Sequence, residues 1–459
     1  MPSTNASSIT IVNNIHVTVP SSPQFMTTFV LLEQNDWFED EMVFVRHFIK
    51  PGMKVVDIGA NYGLYTLSIA NIIGDSGKIW AFEPTESTSA FLKESISRNK
   101  FKNIRLIQSG LSNRLGKAEL FTSPNSELNS LSMDASPSNQ HETISLLTLD
   151  YCMQKYGWEC IDFIKLDAEG EESNILEKGE KTLSFLSPLI MFELKHGESV
   201  NLPLISRFIN MGYDSYRLIP GLNMLVPFNH NEPFDEYLLN LLCCKEGKAK
   251  LLEEEGIIVR NWEEKNTVVN TVASEYVESL PYGRGVLANI INNHKVDDVD
   301  SYLSILNAYI MSLSQAESSS NRVGFLMDAL SGLRSMIAKG EQRIERLVTF
   351  ARIAFDAGER VLGMQILSGL INRYSENINY ELSEIFLPAS QRYDNIVPDK
   401  GINEWLFSSI LEQWIVKHAF SSYFTRDAAL PLLKQLHNLG YMDENMERRH
   451  KLINSCFSK

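Results

Sequence analysis

The sequence predicts an α/β protein: an open, largely parallel sheet with an antiparallel edge hairpin, followed by an all-α domain of helical hairpins. Three observations carry this. Short apolar, β-branched runs alternate with helical patterns from about residue 53 to residue 226. Repeated β-α units of this kind imply a parallel sheet covered by helices on both faces. Glycines and acidic residues gather at the C-terminal ends of those runs. After Cys244 the strand signal largely stops and amphipathic helical patterns take over. The expected domains are a strand and helix preamble over 1–50, an α/β domain over 51–245 and an all-α domain over 246–459.

The elements follow in order. Ile9 to Val19 alternates like an edge strand or hairpin. Asn35 to Ile49 carries a helical pattern, and Pro51-Gly52 punctuates the chain. Met53 to Val56 reads as a buried strand and Leu64 to Ala70 as a helix. Lys78 to Phe82 is strand-like, with a helix from Ser89 to Arg98 capped by Thr85 or Ser87. Ile104 to Ile107 is a short strand. Ala118 to Phe121 and Thr143 to Leu147 form a strand pair flanking a Ser- and Asn-rich loop, Ser123 to Gln140. That loop reads equally as a surface connection or as a lid. Tyr151 to Tyr156 is a helix, Cys160 to Leu166 a strand, Glu171 to Leu183 a helix and Pro188 to Phe192 a strand. Leu204 to Met211 is a helix. Tyr213 to Leu218 and Met224 to Val226 are the last two strands, joined by Pro220-Gly221.

The remainder predicts helices over 260–280, 297–314, 321–338, 341–357, 360–374, 402–418 and 427–439. Apolar residues from Ala329 to Ile371 recur at helical spacing across short turns, as in tetratricopeptide-type hairpins. No clean repeat period is present.

Composition sets outer bounds. The chain has 459 residues, 44% hydrophobic residues and a formal net charge of −15. That size suits two or three domains, and that charge argues against a broad nucleic-acid or anionic-membrane surface. Five cysteines show neither disulfide nor zinc spacing, so reduced thiols and a cytoplasmic location are expected. Residues 1–8 carry neither the basic nor the apolar region of a secretory signal. No run reaches the roughly 18 apolar residues of a membrane span.

Asp57-Ile58-Gly59-Ala60-Asn61-Tyr62-Gly63 joins a strand to a helix. Spaced glycines let backbone approach a ligand, and the helix N-terminus offers free N–H groups. The spacing is D-x-G-x-x-x-G, not G-x-G-x-x-G, and suits S-adenosylmethionine better than a dinucleotide. Glu83 ends the second strand, where a carboxylate can accept from ribose hydroxyls. Asp167 and Glu169 end the fourth strand and Glu193 the fifth. In an open α/β sheet that edge binds ligands.

The stretch Val55 to Thr66, then Phe82-Glu83-Pro84, Thr148-Leu149-Asp150, Asp162 to Gly170 and Phe192-Glu193 together resemble the FkbM family of S-adenosylmethionine-dependent methyltransferases, over about residues 35–245. The resemblance implies a Rossmann-like methyltransferase fold and O-methylation, often of sugar or natural-product hydroxyls. It implies that Asp57, Gly59, Asn61 and Gly63 surround the methionine part of the cofactor. Glu83 would lie on the ribose, and Ser109 to Ser112 near the adenine. The helical C-terminal region lies outside it.

Methyl transfer needs an aligned acceptor oxygen and a group to take its proton. Asp167, Glu193 and His196 are the candidate catalytic residues, with Glu169 beside them. Asp167, Glu169 and Glu193 could instead hold Mg²⁺ through oxygen ligands. Lys165 reads as the partner of a carboxylate. Trp37, Phe38, Tyr62 and Tyr65 could form a sugar platform, Tyr65 reading rather as core. The expected acceptor is a small molecule or glycan, with N-methylation of a peptide or protein side chain as the alternative. A nicotinamide oxidoreductase would show G-x-G-x-x-G, which is absent. A third reading is a helical-hairpin scaffold with a vestigial methyltransferase domain. The helical domain could serve a homodimer, a carrier or a protein partner.

Overall fold

The computed structural model describes residues 5–121, 141–196, 199–263, 272–283, 299–375, 377–378 and 381–457. The predicted loop 123–140 lies outside these. The chain divides into two compact units, the first spanning 1–218, 225–233 and 238–258 and the second 219–224, 234–237 and 259–459.

The first unit opens with the expected hairpin, β1 (Ala6–Ile11) and β2 (Ile15–Pro20), antiparallel with Ile9 opposite Val17. Two helices follow, α1 (Met26–Gln34) and α2 (Asp40–Phe48). The predicted helix from Asn35 therefore starts five residues late. Asn35 ends α1 in the left-handed region, at φ 55°, and its N–H bonds to the Leu31 carbonyl at 3.0 Å. Asn tolerates that conformation, so the residue terminates one helix and cannot begin the next.

Next come β3 (Lys54–Ile58), α3 (Leu64–Ile73), β4 (Lys78–Phe82), α4 (Glu86–Asn99) and β5 (Ile104–Ile107). A short β6 (Gly110–Leu111) pairs with β8 (His141–Leu147), which is antiparallel to β7 (Gly116–Phe121) as expected. The chain continues through α5 (Leu149–Tyr156) and β9 (Phe163–Leu166). The predicted helix 171–183 is two helices, α6 (Glu172–Glu177) and α7 (Glu180–Leu186). The break is fixed from outside: Asp150 N–H donates to the Lys178 carbonyl, and the Asp150 carboxylate accepts from Thr182 N and Oγ1 at 2.8 and 2.7 Å. Then follow β10 (Leu189–Glu193), β11 (Lys195–His196), β12 (Ser199–Val200), α8 (Leu202–Asn210), β13 (Tyr213–Ile219), β14 (Met224–Pro227), β15 (Asn240–Lys245) and α9 (Glu246–Glu254).

The main sheet has the order β14-β13-β15-β10-β9-β3-β4-β5. Its β10-β9-β3-β4-β5 part is parallel. The α/β fold and the edge hairpin β13–β14 are as the sequence predicts. One strand is not. β15 inserts between β13 and β10, antiparallel to both. Its Asn-Leu-Leu-Cys-Cys-Lys run is buried along most of its length, so it lacks the alternation that marks a half-exposed strand. The central strands are apolar on both faces: Val55, Ile79, Phe163 and Leu189 are buried on one, and Val56, Phe82, Ile164 and Ile190 on the other. At about 1.5–3 kcal/mol for each large apolar side chain, this core fixes the strand ends that carry the site.

The second unit is helical in its described residues. Val299–Leu313 packs on Ser319–Ala338, and Ile344–Asp356 on Arg360–Tyr374. The short connections make each pair a hairpin. Ile402–Lys417, Leu430–Leu439 and Glu444–Phe457 follow. Within 260–280 the described helix is Val272–Ser279. Buried ion pairs tie the unit: Arg352 bridges both oxygens of Asp394 at 2.7 Å, and Arg346 pairs with Glu384 at 2.6 Å. All five cysteines are free thiols. No described helix is long and apolar enough to cross a membrane.

Candidate functional site

The site lies at the C-terminal edge of β4, β3, β9 and β10. Its geometry begins with Gly59, at φ +78°. A Cβ there would stand 1.7 Å from the Asp167 carbonyl oxygen, so β3 and β9 can meet this closely only around a glycine. Gly59 and Ala60 N–H both donate to the Phe82 carbonyl, at 3.1 and 2.9 Å. Asn61 follows at φ 48°, and Gly63, at φ +87°, forms the N-cap of α3. The turn thus binds itself to β4 on one side and β9 on the other.

Glu83 is the keystone of that turn. One carboxylate oxygen accepts the Asn61 N–H at 3.0 Å; the other accepts Thr85 N–H at 3.0 Å and Thr85 Oγ1 at 2.6 Å. Burial pushes its pKa up, and these donors work against the shift. Each oxygen can accept more than one bond, so the oxygen facing Asn61 keeps acceptor capacity for a ligand hydroxyl.

Asp57 is 1% exposed. Its Oδ2 accepts from Thr66 Oγ1 at 2.5 Å, and its Oδ1 is buried with no hydrogen-bond partner among the described residues. Burial raises its pKa against the pull of Lys165. An orphaned carboxylate oxygen beside a glycine turn is what a cationic ligand group would satisfy.

Lys165 bears out the expected pairing. It is 6% exposed, and its Nζ lies 2.7 Å from Asp167 Oδ2. Burial opposes its charge, but Asp167, Asp57 and Glu39 more than offset this and raise its pKa. Asp167 remains partly open to solvent, with 37% of its side chain exposed. The following turn holds Glu169 at φ 49° and Gly170 at φ 97°. Buried Glu172 pins it by accepting the Ala168 and Gly170 N–H groups at 2.8 and 3.3 Å.

Glu193 ends β10 opposite Asn240 of β15. Its pKa is pushed up to about 10, first by burial and then by Asp167, Glu169, Glu172 and Glu39. These surroundings favour its protonated form. His196 lies in β11, at the end of the next short strand; its side chain falls outside the described set. Ser112 is buried, and its hydroxyl donates to Glu171 at 2.7 Å. Tyr62 and Tyr65 are each 5% exposed, which places both in the core and not on a sugar platform. Trp37 and Phe38 remain partly buried, ring against ring at 4.4 Å. Among the described residues no group of three His, Cys, Asp or Glu side chains is placed to hold a metal ion, and Oδ2 of Asp167 is engaged by Lys165.

Four residues here escaped the sequence reading: Glu39, Thr85, Glu172 and Asn240. From sequence Thr85 reads as a helix cap and Glu172 simply falls within the predicted helix Glu171 to Leu183. No local signal marks Glu39 or Asn240, because tertiary packing alone brings them to this edge.

Residues 57–215 match the family model for the methyltransferase FkbM domain. The matched segment includes the sheet edge described above. It is also 30% identical, over 57 residues, to the probable cobalt-precorrin-6B C(15)-methyltransferase (decarboxylating) of Sulfurisphaera tokodaii. That alignment spans 12% of this chain and 30% of the relative's length. Among solved structures, a methyltransferase FkbM from Methylobacillus flagellatus is 17% identical, with 42% of this chain and 43% of that one covered and a TM-score of 0.30. The Aeropyrum pernix fibrillarin in complex with S-adenosyl-L-methionine is 13% identical, with 42% and 67% covered and a TM-score of 0.25. The fold assignment rests on strand order, not on these alignments.

Proposed function

We propose that this protein transfers a methyl group from S-adenosylmethionine to a hydroxyl oxygen of a small molecule or glycan. The observation that carries the reading is the Gly59–Gly63 turn, locked to Glu83 and flanked by the orphaned Asp57 oxygen, inside the segment that matches the methyltransferase family. In this reading Asp57, Gly59, Asn61 and Gly63 hold the methionine portion, and Glu83 accepts a ribose hydroxyl. Asp57 Oδ1 gains a cationic partner. Ser112, already tied to Glu171, shapes the adenine end without donating to it. When bound, the cofactor supplies an electrophilic methyl on a sulfonium.

The chain's own residues supply position and proton control. Asp167 is held by Lys165 yet reaches solvent, so it can orient an acceptor hydroxyl and receive its proton. Such a base contributes roughly 10²–10⁴-fold. Glu193, protonated, donates a hydrogen bond to the acceptor. The carboxyls of Asp167, Glu169, Glu172 and Glu39 all act on Glu193. That surrounding favours a neutral, hydroxyl-rich acceptor over an anionic one. The helical unit is proposed to engage the acceptor, its carrier or a protein partner, and the cytoplasm is the proposed location.

The test is transfer from methyl-labelled S-adenosylmethionine into neutral oligosaccharides, natural-product alcohols and peptides, with products located by mass spectrometry. Methyl ethers support the reading. Labelled amines with no labelled hydroxyl would replace it with N-methylation.

A further inference from the structure

Glu39 belongs to a segment outside residues 57–215, yet it reaches the heart of the site. It is the N-cap residue of α2, where its carbonyl accepts the Met42 N–H at 3.1 Å, but its side chain makes no cap bond. Asp40 in the first turn supplies the acidic group the helix dipole favours, while burial pushes the neighbouring Glu41 carboxyl up to about 8. Glu39 Oε2 instead accepts the Tyr65 hydroxyl at 2.5 Å and the Asn240 amide at 3.4 Å. Tyr65, on α3, is 5% exposed. Its ring lies beneath Lys165, with Nζ 5.3 Å from the ring centre, a cation–π distance. Lys165 then grips Asp167 at 2.7 Å. Lys165 is faced by Asp57 from β3, which is its register partner, by Asp167 from its own strand end, by Glu39 from the α2 side and by Tyr65 from α3.

We infer that Glu39 is a positioning residue of the transfer site, fixing the Lys165–Asp167 pair through Tyr65. The inference deepens the methyl-transfer reading and takes its meaning from it. An N-terminal segment that the family match does not cover thereby forms one wall of the site. Glu39 acts through the phenol and the ammonium.

The experiment observes Lys165 directly. The full chain is labelled with ¹⁵N at ζ and ¹³C at ε of lysine, and Lys165→Met assigns the signal. Glu39→Gln keeps an acceptor for Tyr65 but removes the charge. Tyr65→Phe keeps the ring but removes the link. Both should shift the Lys165 signal and speed exchange of its ammonium protons with water several-fold. Glu39→Asp should fall between these variants and wild type. A Lys165 signal and exchange rate unchanged from wild type in both Glu39→Gln and Tyr65→Phe would overturn the inference. If Glu39→Gln does not fold, Tyr65→Phe decides alone. Calorimetry with S-adenosylmethionine on the same wild-type sample separates the two ideas. Absent binding would refute the proposed function, while the lysine signals would still judge Glu39.

Discussion

Adding a single methyl group at Gly59 should cost far more than the same change at a comparable glycine. Gly59, Gly63 and Gly157 all have positive φ, at +78°, +87° and +64°. An alanine at any of them carries the left-handed strain of about 1–2 kcal/mol. At Gly157, which ends α5 in the left-handed region, nothing lies within 4 Å of the new Cβ, so strain is the whole cost. At Gly63 the Cβ meets Leu92 Cδ1 at 2.2 Å, the far end of a side chain that can rotate away. At Gly59 it meets the Asp167 carbonyl oxygen at 1.7 Å. That atom is backbone, so β3 and β9 must part. The bonds most exposed to the parting are Gly59 N–H to Phe82 and Asp167 N–H to Ile58, both 3.1 Å. Losing both, at about 1 kcal/mol each, brings the total to about 3–4 kcal/mol. The drop in melting temperature should be two to three times that of Gly157→Ala, since each kcal/mol moves a unit of this size by roughly 2–4 °C. Differential scanning fluorimetry on the three alanine variants checks the order. Equal drops for Gly59→Ala and Gly157→Ala would refute the close approach of β3 to β9.

Three further outcomes follow from the same structure. Glu83→Ala removes the acceptor for Asn61 and Thr85 and the proposed ribose contact; calorimetry should show cofactor affinity weakened by about 1.5–3 kcal/mol, the range for a hydrogen bond to a charged group. The folded pKa of Glu193, about 10, lies above its unfolded value. The native state therefore holds a proton that the unfolded chain releases above the ordinary carboxyl range, and stability falls as pH rises from there toward 10. Thermal melts should show wild type losing more stability between pH 5 and 8 than Glu193→Gln; parallel curves would contradict the buried proton. In the helical unit, Arg352→Ala strands Asp394 in the interior and should cost about 3–5 kcal/mol. Lys50→Ala breaks a bridge to Glu255 whose partners are 55% and 45% exposed and should cost under about 1 kcal/mol; denaturant melts compare them.

The sequence made the sheet's central strands and their acidic ends readable because each signal is local. A β-branched run, a glycine turn and a terminal carboxylate all fall within a few residues, as at Val55 to Gly63. What escaped was set by distant contacts. Met26–Gln34 is helical but has little apolar periodicity, since its residues are buried on most sides. β15 finds its place by pairing with strands that precede it by many residues. Glu39 was invisible for the same reason, its partners Tyr65 and Asn240 lying on α3 and β15. The raised pKa of Glu193 also depends on carboxyls from other elements, which no local signal reveals.

The central claim is that the edge formed by Asp57, Gly59, Asn61, Gly63 and Glu83 holds S-adenosylmethionine. Isothermal titration of the folded full-length chain with that cofactor tests it most directly. Saturable one-to-one binding that Glu83→Ala weakens is the expected result. No heat of binding up to millimolar cofactor, with folding verified on the same sample, would contradict it.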